Sequence, residues 1–513
     1  MLDVARGSSL KPLLWAAGAL AAGLVVVAAV STPWVALDVP PAADGSVGVG
    51  ADVVGEDGSS GVDDSGAVGA DGSGRFAPDP DLDFTAAEQA RAEEYRAAVR
   101  PPAYLALGLG LAATVLVGLT PVGVRLMRRL PIPSRGPAVL ATLVPAAVGG
   151  LVLLLGFRVL TLPLSAWQES VRRDVGLSTR DWGDWWLDVG RGFGVQTALT
   201  LVGVLAIVLL ARRWPRRWWA VAAPGAAGLV IVASLAYPLV VEPLFNRFEP
   251  LADDDLRTSL VELAEREGIT VGDVLVADAS RRTTAFNAYV SGLGPTKRVV
   301  LYDTLLETAP RDEIEVVVAH ELAHARENDV LTGTLLGAGG AALAVLLVAL
   351  AGSWQPLATR AGLVADTLTA GLPADTMTAG LPTDPSRVGL VDAHGGRGES
   401  TGESGAVLGQ AAAVPFLLAL VTLVGFVAGP AQALISRQIE ARADAVALDL
   451  TGNPETFVRM QHTLAVTALS DVDPPRLLHW WFSSHPTAPE RIAMARTWAA
   501  LNDHPIPPPL TSD

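Results

Sequence analysis

Two histidines four residues apart, with a glutamate directly after the first, form the sequence pattern most able to do chemistry. The stretch VVVAHELAHAREND at 316–329 contains His320, Glu321 and His324. On a helix, residues i and i+4 lie one turn apart on one face, so both imidazoles can reach one metal ion. Glu321 is rotated by about 100° from His320, where it can contact a water on that ion without binding the ion. The pattern favours metal-assisted hydrolysis, although a polar surface helix could carry the same residues.

The surrounding sequence favours the metal site over a polar surface helix. Residues 316–318 are three valines, so the histidines do not lie on a freely solvated helix. Histidine is scarce, with seven in 513 residues, and two of them fall at ligand spacing beside a glutamate. A catalytic site of this kind needs a third protein ligand and an open position for water.

The stretch ISRQIEARADAVALDL at 435–450 offers candidates for that third ligand. Glu440 and Asp444 are again four residues apart on a predicted helix. Two apolar segments separate this stretch from the histidine motif, so both motifs emerge on the same face of a membrane. The alternative is an amphipathic helix in which Arg437 and Arg442 pair with these acids, an arrangement that contributes little free energy.

Seven long apolar segments indicate a membrane protein. Half of the residues are apolar and the mean hydropathy is +0.39. Each segment is long enough to cross a ~30 Å hydrocarbon core as a helix. The segments lie at 13–30, 103–122, 138–164, 195–211, 218–241, 331–351 and 411–434. We interpret the first as an uncleaved anchor and not as a signal peptide. The predicted fold class is mainly α, a multi-span helical membrane protein with a small sheet-containing metallopeptidase domain.

Composition divides the chain into five predicted parts. Eleven acids and one base at 38–83, in a background of Gly, Ala and Ser, are typical of a disordered loop. A tandem nonapeptide at 365–382 marks a second low-complexity segment. The parts are the first span with the acidic loop (1–83), a four-span membrane region (84–241), a catalytic domain with the sixth span (242–352), a linker (353–410), and the seventh span with the Glu440 helix and C-terminal helices (411–513).

The segment between the fifth and sixth spans predicts a small α/β unit. A helix is expected to end at Gly268, a strand to cover 273–278, and two strands within 286–303 to be joined by a Gly/Pro turn. The first strand of that pair could accept a substrate peptide as an added strand, and an ordinary hairpin is equally compatible with the pattern. Its candidate substrate-binding residues are Asn287, Ala288 and Tyr289.

Composition also excludes several kinds of site. The chain has no cysteine, which excludes disulfides, thiol catalysis and metal sites with cysteine ligands. No basic, aromatic-interleaved patch suggests nucleic acid as a partner.

The order of the motifs resembles the integral-membrane zinc endopeptidases of the type I CAAX prenyl protease family. The resemblance runs from about residue 84 to 497. Besides the two metal motifs, it includes YPLVVEPLFNRFEPL, NAYVSGLGPTKRVVLYDTLL and SSHPTAPERIAMA. The resemblance implies one Zn²⁺ per chain, and the implied roles are His320, His324 and Glu440 as ligands, Glu321 as general base, Asp444 as the group that orients a ligating histidine, and His485 and Arg491 near the substrate carbonyl or its oxyanion.

The resemblance also implies an activity and a location. The expected activity is hydrolysis of peptide bonds near the C-terminus of prenylated CAAX-type proteins, by a multi-pass enzyme of the cell membrane. Its expected partners are a peptide or protein substrate, which can itself be membrane-associated, and the lipid bilayer. The alternatives are a membrane quality-control protease and a non-enzymatic scaffold or transporter. Glu321 argues against the scaffold, which needs no general base. Arginine-rich short loops at 125–129 and 211–217 predict an extracytoplasmic catalytic face.

Overall fold

The computed structural model describes residues 11–32, 75–132, 137–292, 297–364 and 404–511. The helices are α1 (Lys11–Ser31), α2 (Pro80–Asp83), α3 (Ala86–Gly118), α4 (Pro121–Arg129), α5 (Leu140–Asp174), α6 (Trp182–Arg213), α7 (Trp218–Ala236), α8 (Glu242–Phe245), α9 (Asp254–Arg266), α10 (Asp303–Thr308), α11 (Arg311–Arg326), α12 (Asp329–Ser353), α13 (Gln355–Arg360), α14 (Ser404–Leu408), α15 (Val414–Thr451), α16 (Pro454–Thr467), α17 (Arg476–Phe482) and α18 (Ala488–Leu501). The strands are β1 (Phe248–Pro250), β2 (Asp273–Ala277), β3 (Ala288–Ser291) and β4 (Arg298–Tyr302).

Within the described residues, seven helices are long and apolar enough to cross a membrane, which confirms the predicted spans. They are α1, α3, α5, α6, α7 with its continuation to Phe245, α12, and α15 with the turn before it. Their shared core buries large side chains from several spans, among them Leu13, Trp218 and Phe416. The apolar runs form helices because only a helix or a closed barrel satisfies backbone polar groups in hydrocarbon.

A four-stranded sheet lies between the fifth and sixth spans. Its strand order is β1-β2-β4-β3, with β2 and β4 parallel and both outer pairs antiparallel. The strand predicted at 273–278 and the two predicted within 286–303 are confirmed, and residues 293–296 of their turn lie outside the described residues. β1 was not predicted, because three residues are too few to show an alternating pattern. β3 ends the sheet and lies against α11.

Helix α11 crosses a second apolar core, formed by the sheet with α9, α16, α18 and the last turns of α15. Val316, Val318 and Leu322 are fully buried in that core, so the valine run fixes which face of α11 points toward the cavity. Pro310 precedes the helix and acidic residues occupy its first turn, as favourable helix starts require.

Helix α15 is both the seventh span and the support of the second motif. It continues without a break for 38 residues, from the membrane core to the core around α11. It ends at Gly452, whose φ of 59° is the left-handed conformation that terminates many helices. Glu440 and Asp444 are therefore positioned by the extension of a membrane-spanning helix.

The end of the predicted acidic loop is ordered. Residues 33–74 lie outside the described residues, but in α2 the side chain of Asp83 is buried and pairs with Arg496, with 2.8 Å between Oδ2 and Nη1. Arg496 also donates to the carbonyl oxygens of Pro507 and Pro508, each at 3.0 Å. We call this arrangement the Asp83–Arg496 clasp. The acidic composition gave no sign of it, because the partner of Asp83 lies far along the chain.

Both ends of the predicted linker, 353–410, are also ordered. The described residues on either side of 365–403 form α13 and α14. Ala358, Leu363 and Leu408 are buried in the membrane core. The tandem nonapeptide lies outside the described residues.

Candidate active site

Three side chains from two helices converge at one point. His320 and His324 lie on α11 and Glu440 on α15, and one ligand atom from each lies within 4.8 Å of the others. The two Nε2 atoms are 3.1 Å apart. Oxygens of Glu440 lie 3.3 Å from Nε2 of His320 and 3.7 Å from Nε2 of His324. The spacing of the two sequence motifs thus becomes a single cluster.

The donor atoms of this cluster fit a metal cation. Nδ1 of His320 lies 2.8 Å from Asp444, and Nδ1 of His324 lies 2.9 Å from Asp329. An imidazole that donates from Nδ1 to a carboxylate presents a lone pair on Nε2. When both rings are neutral, two such lone pairs face the Glu440 carboxylate, and a cation between them would be bound by all three groups. Oε2 of Glu440 is buried and lies 3.3 Å from Nε2 of His320 and 3.4 Å from Nε2 of His485, but makes no well-formed hydrogen bond among the described residues, so it remains available to a metal.

Each orienting carboxylate is held by an arginine from another helix. Arg491 of α18 donates from Nε to Asp444 at 2.6 Å, and Arg442 of α15 donates to Asp329. Asp444 is fully buried, whereas the side chain of Asp329 is 11% exposed. Sequence reasoning had considered Arg442 only as a partner of acids on its own helix and did not single out Asp329. The available signal was an acid five residues after His324, at the start of the sixth apolar segment.

The pKa values of His320, a candidate ligand, and Glu321, the candidate base, are both raised, but for different reasons. Burial alone would lower the pKa of His320, but Asp444 and Glu440 outweigh burial and raise that pKa to about 10. A metal ion at this site would therefore compete with a proton for His320. Burial raises the pKa of Glu321, while the neighbouring imidazoles oppose the rise. A carboxylate with a raised pKa is suited to take up a proton and release it again.

His485 and Arg491 approach the cluster from different sides. Nε2 of His485 lies 3.4 Å from Glu440, and its Nδ1 lies 2.9 Å from Oγ of Ser484. Burial lowers the pKa of His485, although Glu440 acts in the opposite direction. The guanidinium of Arg491 is committed to Asp444, and its Nη2 lies 3.4 Å from Nδ1 of His320. Arg491 thus contacts the outer side of His320, a candidate ligand, whereas His485 faces the space around the cluster.

Two cavities open beside the cluster, with volumes of about 860 Å³ and about 490 Å³. We call them the large cavity and the small cavity. The residues that line both are Asn287, His320, Glu321, Glu440 and His485. The candidate metal position and base therefore lie at the junction of two spaces, an arrangement that accommodates chain on both sides of a reacting bond.

The three candidate substrate-binding residues have different environments. Asn287 lies at the junction of the cavities, where its Oδ1 accepts a hydrogen bond from the backbone N–H of Ala288 at 2.9 Å. The side chain of Ala288 is buried, so Ala288 can offer only backbone groups to a ligand. Tyr289 lines the small cavity.

Comparison with known proteins now adds to this geometry. The model for peptidase family M48 matches residues 250–499, and the model for the CAAX prenyl protease N-terminal region, with five membrane helices, matches residues 111–247. The uncharacterized metalloprotease YhfN of Bacillus subtilis is 31% identical over 353 residues, which cover 69% of this chain and 74% of that protein. The chain belongs to peptidase family M48. This M48 protein is a membrane metalloendopeptidase, which confirms the predicted class of enzyme.

Two further relatives extend the M48 comparison. CAAX prenyl protease 1 of Saccharomyces cerevisiae is 41% identical over 102 residues, which are 20% of this chain and 22% of that protein. The crystal structure of Ste24p from S. mikatae has a TM-score of 0.60 and 23% identity, and the match covers 80% of this chain and 90% of that one. The M48 protein described here thus has the same fold as Ste24p, which confirms the predicted fold class.

Proposed function

We propose that this M48 protein binds one Zn²⁺ through His320, His324 and Glu440 and uses it to hydrolyse peptide bonds at the cell membrane. The convergence of the three ligand atoms at the junction of two cavities carries this proposal. Two histidines, one glutamate and an open fourth position are typical of catalytic zinc sites.

Each residue of the site has a separable task. When bound, zinc would polarise the scissile carbonyl and acidify a water molecule. Glu321 accepts a proton from the attacking water and delivers it to the leaving amine. His485 donates a hydrogen bond to the carbonyl oxygen as negative charge develops there. Arg491 holds Asp444, which in turn fixes the tautomer and the ring orientation of His320.

The proposed substrate is the C-terminal region of a prenylated CAAX-type protein. An extended peptide would pair with β3 along the side that faces away from β4, held by Asn287 and flanked by Tyr289. Similarity to CAAX prenyl protease 1 and a site built directly on membrane spans support this substrate. A lipid-modified protein would already be concentrated in the same bilayer as the enzyme.

Metal content and peptide cleavage, measured on one preparation, test the proposal. Purified wild type is expected to contain about one zinc per chain and to cleave a prenylated peptide faster than its unmodified counterpart. Glu321→Gln should keep the zinc, because Glu321 is not a ligand, and should lose activity by roughly 10²- to 10⁴-fold.

Glu315→Gln is the matched control, because Glu315 lies on the same helix and hydrogen-bonds Ser259 away from the cavities. It should retain wild-type activity. Zinc-loaded Glu321→Gln with undiminished turnover would refute the assigned base. Equal cleavage of the two wild-type substrates would refute only the preference for a prenylated chain.

A further inference from the structure

The large cavity contains a cation that the proposed hydrolysis does not use. Arg96 and Arg100 lie one turn apart on α3 and both line this cavity, away from the metal cluster. A partly buried guanidinium without a carboxylate partner is costly, because it gives up hydration without gaining a counter-charge. The partners of these two arginines therefore decide how much positive charge α3 brings to the cavity.

The two arginines are satisfied in different ways. Arg100 pairs with Asp471, which cancels its charge. Arg96 donates from Nε to the backbone carbonyl of Leu469 at 3.0 Å, and in the described part of the chain no carboxylate oxygen lies within 4.0 Å of its guanidinium. A carbonyl oxygen orients the guanidinium without neutralising it. The two Nη groups are left as the parallel pair of donors that binds a carboxylate.

The carbonyl that orients Arg96 belongs to a strained residue. Leu469 follows α16 with a φ of 47°, a left-handed conformation usually taken by glycine at this position. The backbone N–H of Ser470 donates to the carbonyl of Ala465 at 2.8 Å and closes the turn. A leucine in this conformation costs free energy, and such strain persists where the surrounding structure over-determines it, frequently at functional sites. Here the turn aims the carbonyl of Leu469 at Arg96.

Helix α16 gives the distance from Arg96 to the metal cluster. Gln461 lies at the metal end of the large cavity, where its amide oxygen, turned toward Arg491, accepts from Nε at 3.2 Å. Leu469 lies eight residues further on, six of them along α16 and two in the turn that ends it, so the separation is at most about 12 Å at the helical rise of about 1.5 Å per residue. An extended peptide advances at most about 3.3–3.6 Å per residue, so about 12 Å corresponds to three or four residues.

We propose that Arg96 forms an anion subsite that binds a substrate carboxylate three or four residues from the scissile bond. The inference rests on the proposed peptidase function and names a chemical feature of its substrate. Either a C-terminal carboxylate or the side chain of an aspartate or glutamate would supply the same chemistry.

A peptide series measures the subsite directly. The peptides share one sequence up to the scissile bond, carry between two and six residues after it, and end either as the free acid or as the amide. A second set ends as the amide and carries aspartate or asparagine at the third or fourth position after the bond. Wild type should favour the acid, or the aspartate peptide, by about 10-fold or more in kcat/KM at a length of three or four residues, as expected for a charged hydrogen bond. A preference in the first set would identify a C-terminal carboxylate as the ligand of Arg96, and a preference in the second set would identify an aspartate side chain.

Variants of α3 assign the preference to Arg96. In Arg96→Gln the ratio between carboxylate and neutral peptide should fall to about one, whereas Arg96→Lys, which keeps the charge, should retain a severalfold ratio. Arg91→Gln is the matched control, because Arg91 is exposed on the same helix and does not line the large cavity. It should keep the wild-type ratio. A ratio is informative because a misfolded fraction lowers both rates equally.

Binding separates this inference from the proposed hydrolysis. In the Glu321→Gln background, fluorescence anisotropy gives peptide affinities without turnover. The acid or aspartate peptide should bind about 10-fold or more tightly than its neutral counterpart. Equal affinities in both sets, or a preference that survives Arg96→Gln, would overturn the subsite even if hydrolysis is confirmed. Zinc-loaded wild type that cleaves no peptide but binds with this preference would overturn the peptidase proposal and leave the subsite standing.

Discussion

Replacing Asp329 by asparagine removes the charge between His324 and Arg442 and preserves the side-chain volume. The carboxylate now accepts from Nδ1 of His324 at 2.9 Å and from Arg442, which also lies 3.6 Å from Glu327. Asparagine keeps one acceptor for the imidazole but no longer enforces its tautomer with a negative charge. The ring is therefore less firmly oriented toward the metal position.

The expected loss of zinc affinity depends on how many contacts are lost and how buried they are. Loss of a group that orients a ligand costs roughly 10- to 100-fold in metal affinity, which is about 1.4–2.7 kcal/mol. Asp329 is less buried than Asp444, so we expect the lower half of that range for Asp329→Asn and the upper half for Asp444→Asn. Asp329 is also the first residue of α12, and losing a charge there costs only about 0.3–1 kcal/mol of stability.

Competition with a chelator of known zinc affinity, together with thermal unfolding of the metal-free protein, is the appropriate assay. Glu327→Gln is the matched control, because Glu327 reaches the same arginine but does not touch a histidine. It should leave zinc affinity within about threefold of wild type, because a partly exposed ion pair with 3.6 Å between its charged atoms contributes little. Equal affinities for Asp329→Asn and Glu327→Gln would refute the role of Asp329. The role would also be refuted if Asp329→Asn reduced the free energy of zinc binding by no more than it reduced the free energy of unfolding of the metal-free protein.

Three further predictions concern the third ligand, a buried acid and the clasp. Glu440→Ala should lose zinc more severely than Asp444→Ala, because it removes a ligand instead of its support, and equal zinc content in wild type and Glu440→Ala would refute the ligand set. Burial raises the pKa of Glu313, so the folded state holds that proton more tightly and its stability falls as pH rises through the raised pKa. Glu313→Gln should thus raise the melting temperature at neutral pH, and the gain should vanish in acid, whereas a pH-independent gain would contradict the argument. Arg496→Ala should destabilise the protein by about 3–5 kcal/mol, because it strands the buried carboxylate of Asp83, and adding Asp83→Asn should recover part of the loss in denaturant unfolding.

The sequence predicted well what depends on local pattern. The spans, the strands before the metal helix and the motif at 316–329 each show a clear period or composition, and the structure confirms the spans and strands. Counting the spans between the motifs placed Glu440 and the histidines on the same membrane face, and the family resemblance grouped them as ligands. Asp329 and Arg442 could not be paired in advance, because their contact depends on the angle at which α15 crosses the end of α11. The charge on Arg96 gave no signal either, since its meaning depends on which acids lie nearby in space.

Composition was less reliable at segment ends. Acidic or low-complexity character is an average over a window, and an average does not register the few residues that find a partner elsewhere. Asp83 reads as one more acid in an acidic loop until Arg496 is placed beside it. Leu363 and Leu408 lie in a segment whose composition predicts a linker, but in the structure both are buried in the membrane core. These contacts join distant parts of the chain, and a local pattern carries no information about them.

The Asp83–Arg496 clasp joins positions 413 residues apart, and this separation determines when during synthesis the clasp can form. Synthesis runs from the N-terminus, so all seven spans leave the ribosome before Arg496 is made. Asp83, which precedes the second span, therefore has no ion-pair partner until Arg496 of α18 has been synthesised. The same late stretch of chain brings Arg491, and Glu440 precedes it only slightly. A nascent chain therefore lacks Arg491, which supports the candidate active site, until all seven spans have been synthesised.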